Sequence, residues 1–249
     1  MKEKIYLLSI GNSFSQDAHR YLHELAVSQG IELETVNLYI GGCSLERHCN
    51  NIVSDANDYL LEVNGYSTEK YISVSEALKM HKWDFISLQQ VSGYSGVPQS
   101  YFPYLCEIAE YIKKHCSDAQ LIFHQTWAYE KDSEHGHFIF YNRDQHEMFR
   151  RLRDCSEMAA KILNVDIIRV GEAIQKLRDD VEEFDYPESG ISLNRDGFHL
   201  SLDYGRFAAA AVWLKKLTGI TEIDVNKFTL LYPDYEFNAE LLDTIVKNI

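Results

Sequence analysis

Short apolar runs alternate with longer amphipathic segments along this chain, and that alternation restricts it to a parallel sheet wrapped by helices. Residues 5–10, 31–40, 85–88, 121–123 and 165–170 read as five strands. Between the first two, Ala18, Leu22, Leu25 and Ala26 recur at i, i+4, i+7 and i+8, the buried face of one helix closed by Gly30. A helix over 104–114 turns Leu105, Ile108 and Ile112 inward, and one over 144–163 does the same with Met148, Leu152, Cys155, Ala159 and Ile162. A short helix follows at 172–178, and Ser201 is expected to cap a last one carrying Phe207, Ala211 and Leu214. Residues 43–80, dense in Asn and Asp, read as an irregular loop followed by a helix over 73–80. The expected fold is a three-layer α/β/α sandwich with a central five-stranded parallel sheet and helices on both faces.

At 249 residues, one domain spanning 1–249 is the expectation, because the 4 Pro and 13 Gly form no linker between halves of different composition. A net charge of -14 repels phosphate backbones and anionic lipid surfaces, so neither nucleic acid nor a membrane is an expected partner. The apolar run at 5–10 has no small-residue cleavage site after it and reads as a first strand rather than a signal peptide. No segment approaches the roughly 20 apolar residues that cross a bilayer. The 5 cysteines are irregularly spaced without a Cys-x-x-Cys, which argues against a disulfide framework or zinc ribbon and for the reducing cytoplasm. No metal or other cofactor is expected.

In open parallel sheets, ligands bind outside the carboxyl ends of the strands. The residues there are Gly11-Asn12-Ser13, Gly41-Gly42-Cys43-Ser44, Gln89-Gln90-Val91-Ser92, His124-Gln125-Thr126-Trp127 and, one helix later, Asp196-Gly197-Phe198-His199. Acyl transfer needs such parts. A serine is a weak nucleophile until a histidine takes its proton, and a carboxylate must hold that histidine in the right tautomer. Donors must then meet the oxygen of the tetrahedral intermediate. Asp196 and His199 are three residues apart, close enough for the carboxylate to bond Nδ1-H while Nε2 points across the crevice at Ser13. Ser15 reads as the cap of the first helix, which leaves Ser13 free to face that crevice.

Gly11-Asn12-Ser13-Phe14, Gly42 after the second strand, an amide after the third and Asp196-Gly197-Phe198-His199 together resemble the SGNH (GDSL-type) hydrolases, over about residues 4–217. The resemblance implies a flavodoxin-like sheet. Residues 218–249 read as an extension beyond it, whose tail, 232–249, is expected to form a closing helix or a partner surface. It implies ester hydrolysis, often of acetyl or other acyl groups on carbohydrates or lipids, with a small-molecule ester as partner. Residue by residue it makes Ser13 the nucleophile, His199 the base, Asp196 its orienter, and the N–H groups of Ser13 and Gly42 oxyanion donors. The chain departs from the family in carrying Asn12 for the usual Asp, and Gln89-Gln90 where a Gly-x-Asn is usual. Gln90 is the candidate third donor and Gln89 its alternate, since alternation sends them to opposite faces.

Weaker assignments surround these. Ser13 alone also fits a turn or helix cap, and Gly41-Gly42 a tight turn. Trp127, Tyr94 and His48 are candidates for a substrate-binding wall suited to a sugar face. Cys43 reads as a small buried residue rather than a rival nucleophile, and His19 and His23 as a solvated face rather than a metal pair. His135-Gly136-His137 reads as surface. The competing functions are a binding module without turnover, and phosphate binding at the 11–15 corner, which lacks a glycine-rich phosphate fingerprint.

Overall fold

The computed structural model describes residues 4–230 and 237–249. Its strands are β1 (Ile5–Gly11), β2 (Leu33–Tyr39), β3 (Tyr59–Val63), β4 (Tyr66–Ile72), β5 (Phe85–Leu88), β6 (Gln120–His124) and β7 (Asp166–Ile168). They form one sheet in the order β4-β3-β2-β1-β5-β6-β7. The five expected parallel strands form one continuous block, β2-β1-β5-β6-β7, that runs to the β7 edge, with Leu8 of β1 in register with Val36 of β2 and Ile86 of β5. Leu7, Leu8 and Ile10 are all buried, as a strand covered on both faces requires. Strand order reverses at β1, so the crevice of this flavodoxin-like sheet opens at its carboxyl end.

The helices are α1 (Ser13–His19), α2 (Leu22–Ser28), α3 (Leu45–Ser54), α4 (Val74–Leu78), α5 (Tyr104–His115), α6 (Gln145–Leu163), α7 (Val170–Asp180), α8 (Tyr204–Thr218) and α9 (Ala239–Asn248). One core packs Leu7 with residues of α1, α2, α7, α8 and α9, including Phe14, Leu25, Ile174, Phe207 and Ile245. The other packs Leu8 and Ile10 with residues of α3, α5 and α6, including Leu45, Ile108 and Ala159.

Several boundaries differ from the reading by pattern. Two antiparallel strands, β3 and β4, extend the five parallel ones, so 43–80 is a helix, a hairpin and a capped helix rather than a loop and helix. The expected first helix is two, interrupted at Arg20-Tyr21. Helix α8 starts at Tyr204 under Asp203, whose side chain accepts from Tyr204 N–H, while Ser201 Oγ accepts from Gly205 N–H at 2.9 Å without capping the helix. Of the tail, 232–236 lie outside the described residues, and α9 is a helix with Leu242, Ile245 and Val246 buried. Among the described residues no helix is long and apolar enough to cross a membrane.

Candidate active site

Strand β1 ends at Gly11 and the chain turns directly into α1 with Asn12 as its cap: Asn12 Oδ1 accepts from Phe14 N–H at 2.9 Å. Ser15 is therefore not the cap. It occupies the third helical position, where its hydroxyl accepts from Asn12 N–H at 3.0 Å and donates to Asn37 Oδ1 at 2.7 Å. The box of reciprocal bonds pins the corner and leaves Ser13, the first helical residue, with its side chain free of capping duty.

The turn from Arg195 to Leu200 brings in the other two polar groups. Asp196 Oδ1 accepts from the backbone N–H of Phe198 at 3.2 Å and of His199 at 2.8 Å, and Oδ2 meets His199 Nδ1 at 2.7 Å. Nε2 of the same ring lies 2.9 Å from Ser13 Oγ. With Nδ1–H donating to the carboxylate, Nε2 presents its lone pair, and Ser13 O–H donates to it. Partial burial pushes the Asp196 carboxyl up, but hydrogen bonds from the His199 ring and from the two backbone N–H groups outweigh it and hold Asp196 below its ordinary value.

Ser13 and His199 share a cavity of about 250 Å³ with Asn12, Tyr39, Gly42, His135, His137 and Phe198. Gly42 occupies a turn closed by Cys43 N–H donating to Ile40 O at 3.2 Å, and its φ of +63° is the left-handed conformation that favours glycine. Among the described residues no protein acceptor takes the N–H of Ser13 or of Gly42. Asn12 Nδ2 donates to Cys43 O at 3.0 Å, which ties the Gly42 turn to the Ser13 corner. A larger depression, about 820 Å³, lies by the amino ends of β6 and β7 and contains none of these groups.

The other candidates take different places. Gln90 does not face the cavity: its amide N donates to Ser100 O at 2.9 Å and Oγ at 3.0 Å, and its Oε1 accepts from the N–H groups of Leu45 and Val91. Gln89, the alternate, also does not line it; its Nε2 donates to Asn12 Oδ1 at 2.7 Å. Trp127 is fully buried behind the cavity, stacked on Phe14 at 4.2 Å, with its indole N–H on Phe198 O at 2.8 Å. His48 is buried against Tyr59, its Nδ1 3.0 Å from the phenol oxygen. Tyr94 stands one layer out, stacked on His137 at 5.0 Å. Trp127 and His48 thus pack on aromatic partners inside the fold, while Tyr94 is half-buried outside the cavity.

His135 and His137, expected at the surface, line the cavity instead. His137 N–H donates to His135 Nδ1 at 3.2 Å, and burial, together with the neighbouring His137 and His199, lowers the His135 pKa. No local pattern announces this, although both residues lie in the long segment that follows the carboxyl end of β6. His19 is likewise no solvated residue: it is buried, with Nε2 2.9 Å from Ser9 Oγ, while His23 is half-buried on Leu33 O. Cys43 is buried as expected, and burial pushes its thiol up to about 12.

No curated protein matches the chain by sequence. A DUF4886 protein from Bacteroides uniformis has a similar crystal structure, 37% identical with a TM-score of 0.86, over 98% of this chain and 94% of that one. Two more distant structures share the fold alone. One is assigned to the SGNH hydrolases, from Slackia heliotrinireducens, with 20% identity and a TM-score of 0.58 over 86% of this chain and 99% of that one. The other is a lipase/acylhydrolase from Enterococcus faecalis, with 14% identity and a TM-score of 0.53 over 86% and 96%. The model of the domain of unknown function DUF4886 matches residues 6–234, and the chain belongs to that family.

Proposed function

We propose that this chain is a serine esterase that removes an acetyl or other short acyl group from a small, sugar-like alcohol. The observation that carries the reading is the 2.9 Å approach of His199 Nε2 to Ser13 Oγ, with Asp196 on the far ring nitrogen. In this mechanism Ser13 Oγ attacks the ester carbonyl carbon as its proton passes to His199 Nε2. Asp196 stabilises the resulting imidazolium, and the N–H groups of Ser13 and Gly42 stabilise the oxyanion. Collapse breaks the bond to the alcohol oxygen, which leaves with the proton from His199, and acyl-Ser13 remains. Water then gives a proton to His199 and attacks the acyl carbon. The second collapse releases the acid and returns the proton to Ser13 Oγ. A cavity of about 250 Å³ leaves room for a short acyl chain rather than a long one.

The experiment is turnover of p-nitrophenyl acetate together with fluorophosphonate labelling, for the wild type, Ser13→Ala and His199→Ala. Turnover and label are expected in the wild type alone, with the His199 loss expressed mainly in kcat. Equal turnover by Ser13→Ala would exclude the acyl-serine route. A second reading, capture of a small ligand without turnover, is favoured by the placement of both glutamine amides away from the cavity, since one missing oxyanion donor costs about two to three orders of magnitude in rate. Binding of an acetylated sugar without any label on Ser13 would establish it.

A further inference from the structure

We propose that Asp17 is the positioning residue that sets the alignment of His199 on Ser13, by clamping both ends of the turn that carries His199. Asp17 and Ser13 lie four residues apart on α1, one helical turn from each other. The Asp17 side chain has no exposure, and a carboxylate so buried must be paired. Its partners are specific. Arg195 Nη1 lies 3.0 and 3.1 Å from the two oxygens, and Leu200 N–H donates to Oδ2 at 2.9 Å. Arg195 directly precedes Asp196, and Leu200 directly follows His199. Arg195 Nη1 also donates to Leu200 O, closing the turn on itself. From α8, Arg206 adds Nε and Nη2 to Oδ1, each at 2.8 Å.

One short rigid element therefore carries Ser13 and grips the His199 turn. The two arginines exceed the charge of one carboxylate, and Glu62 of β3 brings a second acidic group to the same cluster, held by Asn37 Nδ2 at 2.8 Å and by Gln16. Electrostatics and directional bonds thus fix the span between Ser13 Oγ and His199 Nε2. Asp17 touches neither cavity nor substrate, so its effect runs wholly through His199.

The kinetic arm of the test rests on the esterase reading; a second arm does not. In Asp17→Asn and in the more exposed Arg195→Gln, checked for folding by circular dichroism, kcat for p-nitrophenyl acetate is expected to fall at least tenfold. KM should stay within about twofold, and fluorophosphonate labelling should slow in parallel. Independently, imidazole ¹⁵N spectra, with His199 assigned by its loss in His199→Ala, should change from one locked tautomer to an averaged mixture. Retention of the locked tautomer in the variants overturns the proposal, whatever the activity. A wild type that turns over no ester, with the tautomer still lost in the variants, overturns the esterase reading and upholds the positioning role. If Asp17→Asn fails to fold, Arg195→Gln decides by the same readouts.

Discussion

Gln89 Nε2 donates to Asn12 Oδ1 across 2.7 Å, and this bond fixes the hydrogen-bond sense of everything around it. Because Phe14 N–H already donates to Asn12 Oδ1, that atom is the carbonyl oxygen and Gln89 must present its NH₂. Gln89 Oε1 then faces His124, whose Nδ1, 2.7 Å away, must carry the proton. The remaining end of Asn12, Nδ2, points to Cys43 O. A directional relay thus runs from buried His124 through Gln89 and Asn12 to the turn that presents Gly42 N–H.

If that relay orients an oxyanion donor, Gln89→Leu should lower kcat by about 10- to 100-fold at nearly constant KM, since misplaced donors act on the transition state. Gln90→Leu should behave differently. It strips acceptors from the N–H groups of Leu45 and Val91, at about 1–3 kcal/mol for the buried Leu45 donor and less for the half-buried Val91. Stability, read as a urea midpoint, should fall first there. Steady-state kinetics beside denaturation for both variants checks the contrast; equal kinetic losses would remove the distinction between the two glutamines.

Buried histidines make the fold acid-sensitive. Burial pushes His19, His48 and His124 down to about 3 from an ordinary 6.5. Between those values the unfolded chain binds three protons that the folded one refuses, so stability falls as pH falls from 6.5 towards 3. Each histidine contributes about 1.4 kcal/mol per pH unit, and three together about 4 kcal/mol per unit, a large part of a typical stability of about 5–15 kcal/mol. Unfolding free energy measured in urea from pH 7.5 to 5 should show this slope, and His48→Phe should reduce it by about a third. A flat profile would mean that these rings take up protons in the native state.

Strands β1, β5 and β6 were legible because each is covered on both faces and so reads as a largely apolar run. The hairpin β3–β4 was not, although Asn64-Gly65 is a strong hairpin signal: the two residues sit at φ 52° and 82°, with Val63 paired to Tyr66 across a two-residue turn. Dense polar residues masked it, because β4 at the sheet edge is exposed along most of its length. The juxtaposition of Ser13, Asp196 and His199 was legible from polar groups following the strands. The cavity walls were not. Trp127 is turned into the core by contacts with Phe14 and Phe198, which lie 113 and 71 residues away in sequence, and no local periodicity encodes such contacts.

The hairpin tip carries its own expectation. A Cβ at Gly65 would lie 2.6 Å from Arg20 O, and the left-handed backbone there already costs a side chain about 1–2 kcal/mol. Gly65→Ala should therefore lower stability by more than about 1 kcal/mol, seen as a lower urea midpoint at unchanged m-value. An unchanged midpoint would show that the tip can relax away from the α1–α2 junction.

Acyl length is the sharpest test of the cavity itself. Its volume of about 250 Å³ lies below the roughly 300–1,000 Å³ of ordinary ligand pockets, and Phe198 and His137 bound it with rings that are themselves packed. His137 forms a cluster of three rings with Tyr94, 5.0 Å away, and Phe140, 5.2 Å away, while His135 meets Phe198 edge-on at 4.7 Å. Such walls yield only by repacking, so kcat/KM along p-nitrophenyl acetate, butyrate, hexanoate and octanoate should fall by about tenfold or more beyond four carbons. His137→Ala removes one ring and should shift the preference towards the longer esters while leaving acetate within a few-fold. A wild-type profile that rises to octanoate would place the acyl chain outside this cavity, on the exposed rim of Ile139 and Phe140, and His137→Ala would then leave the profile unmoved.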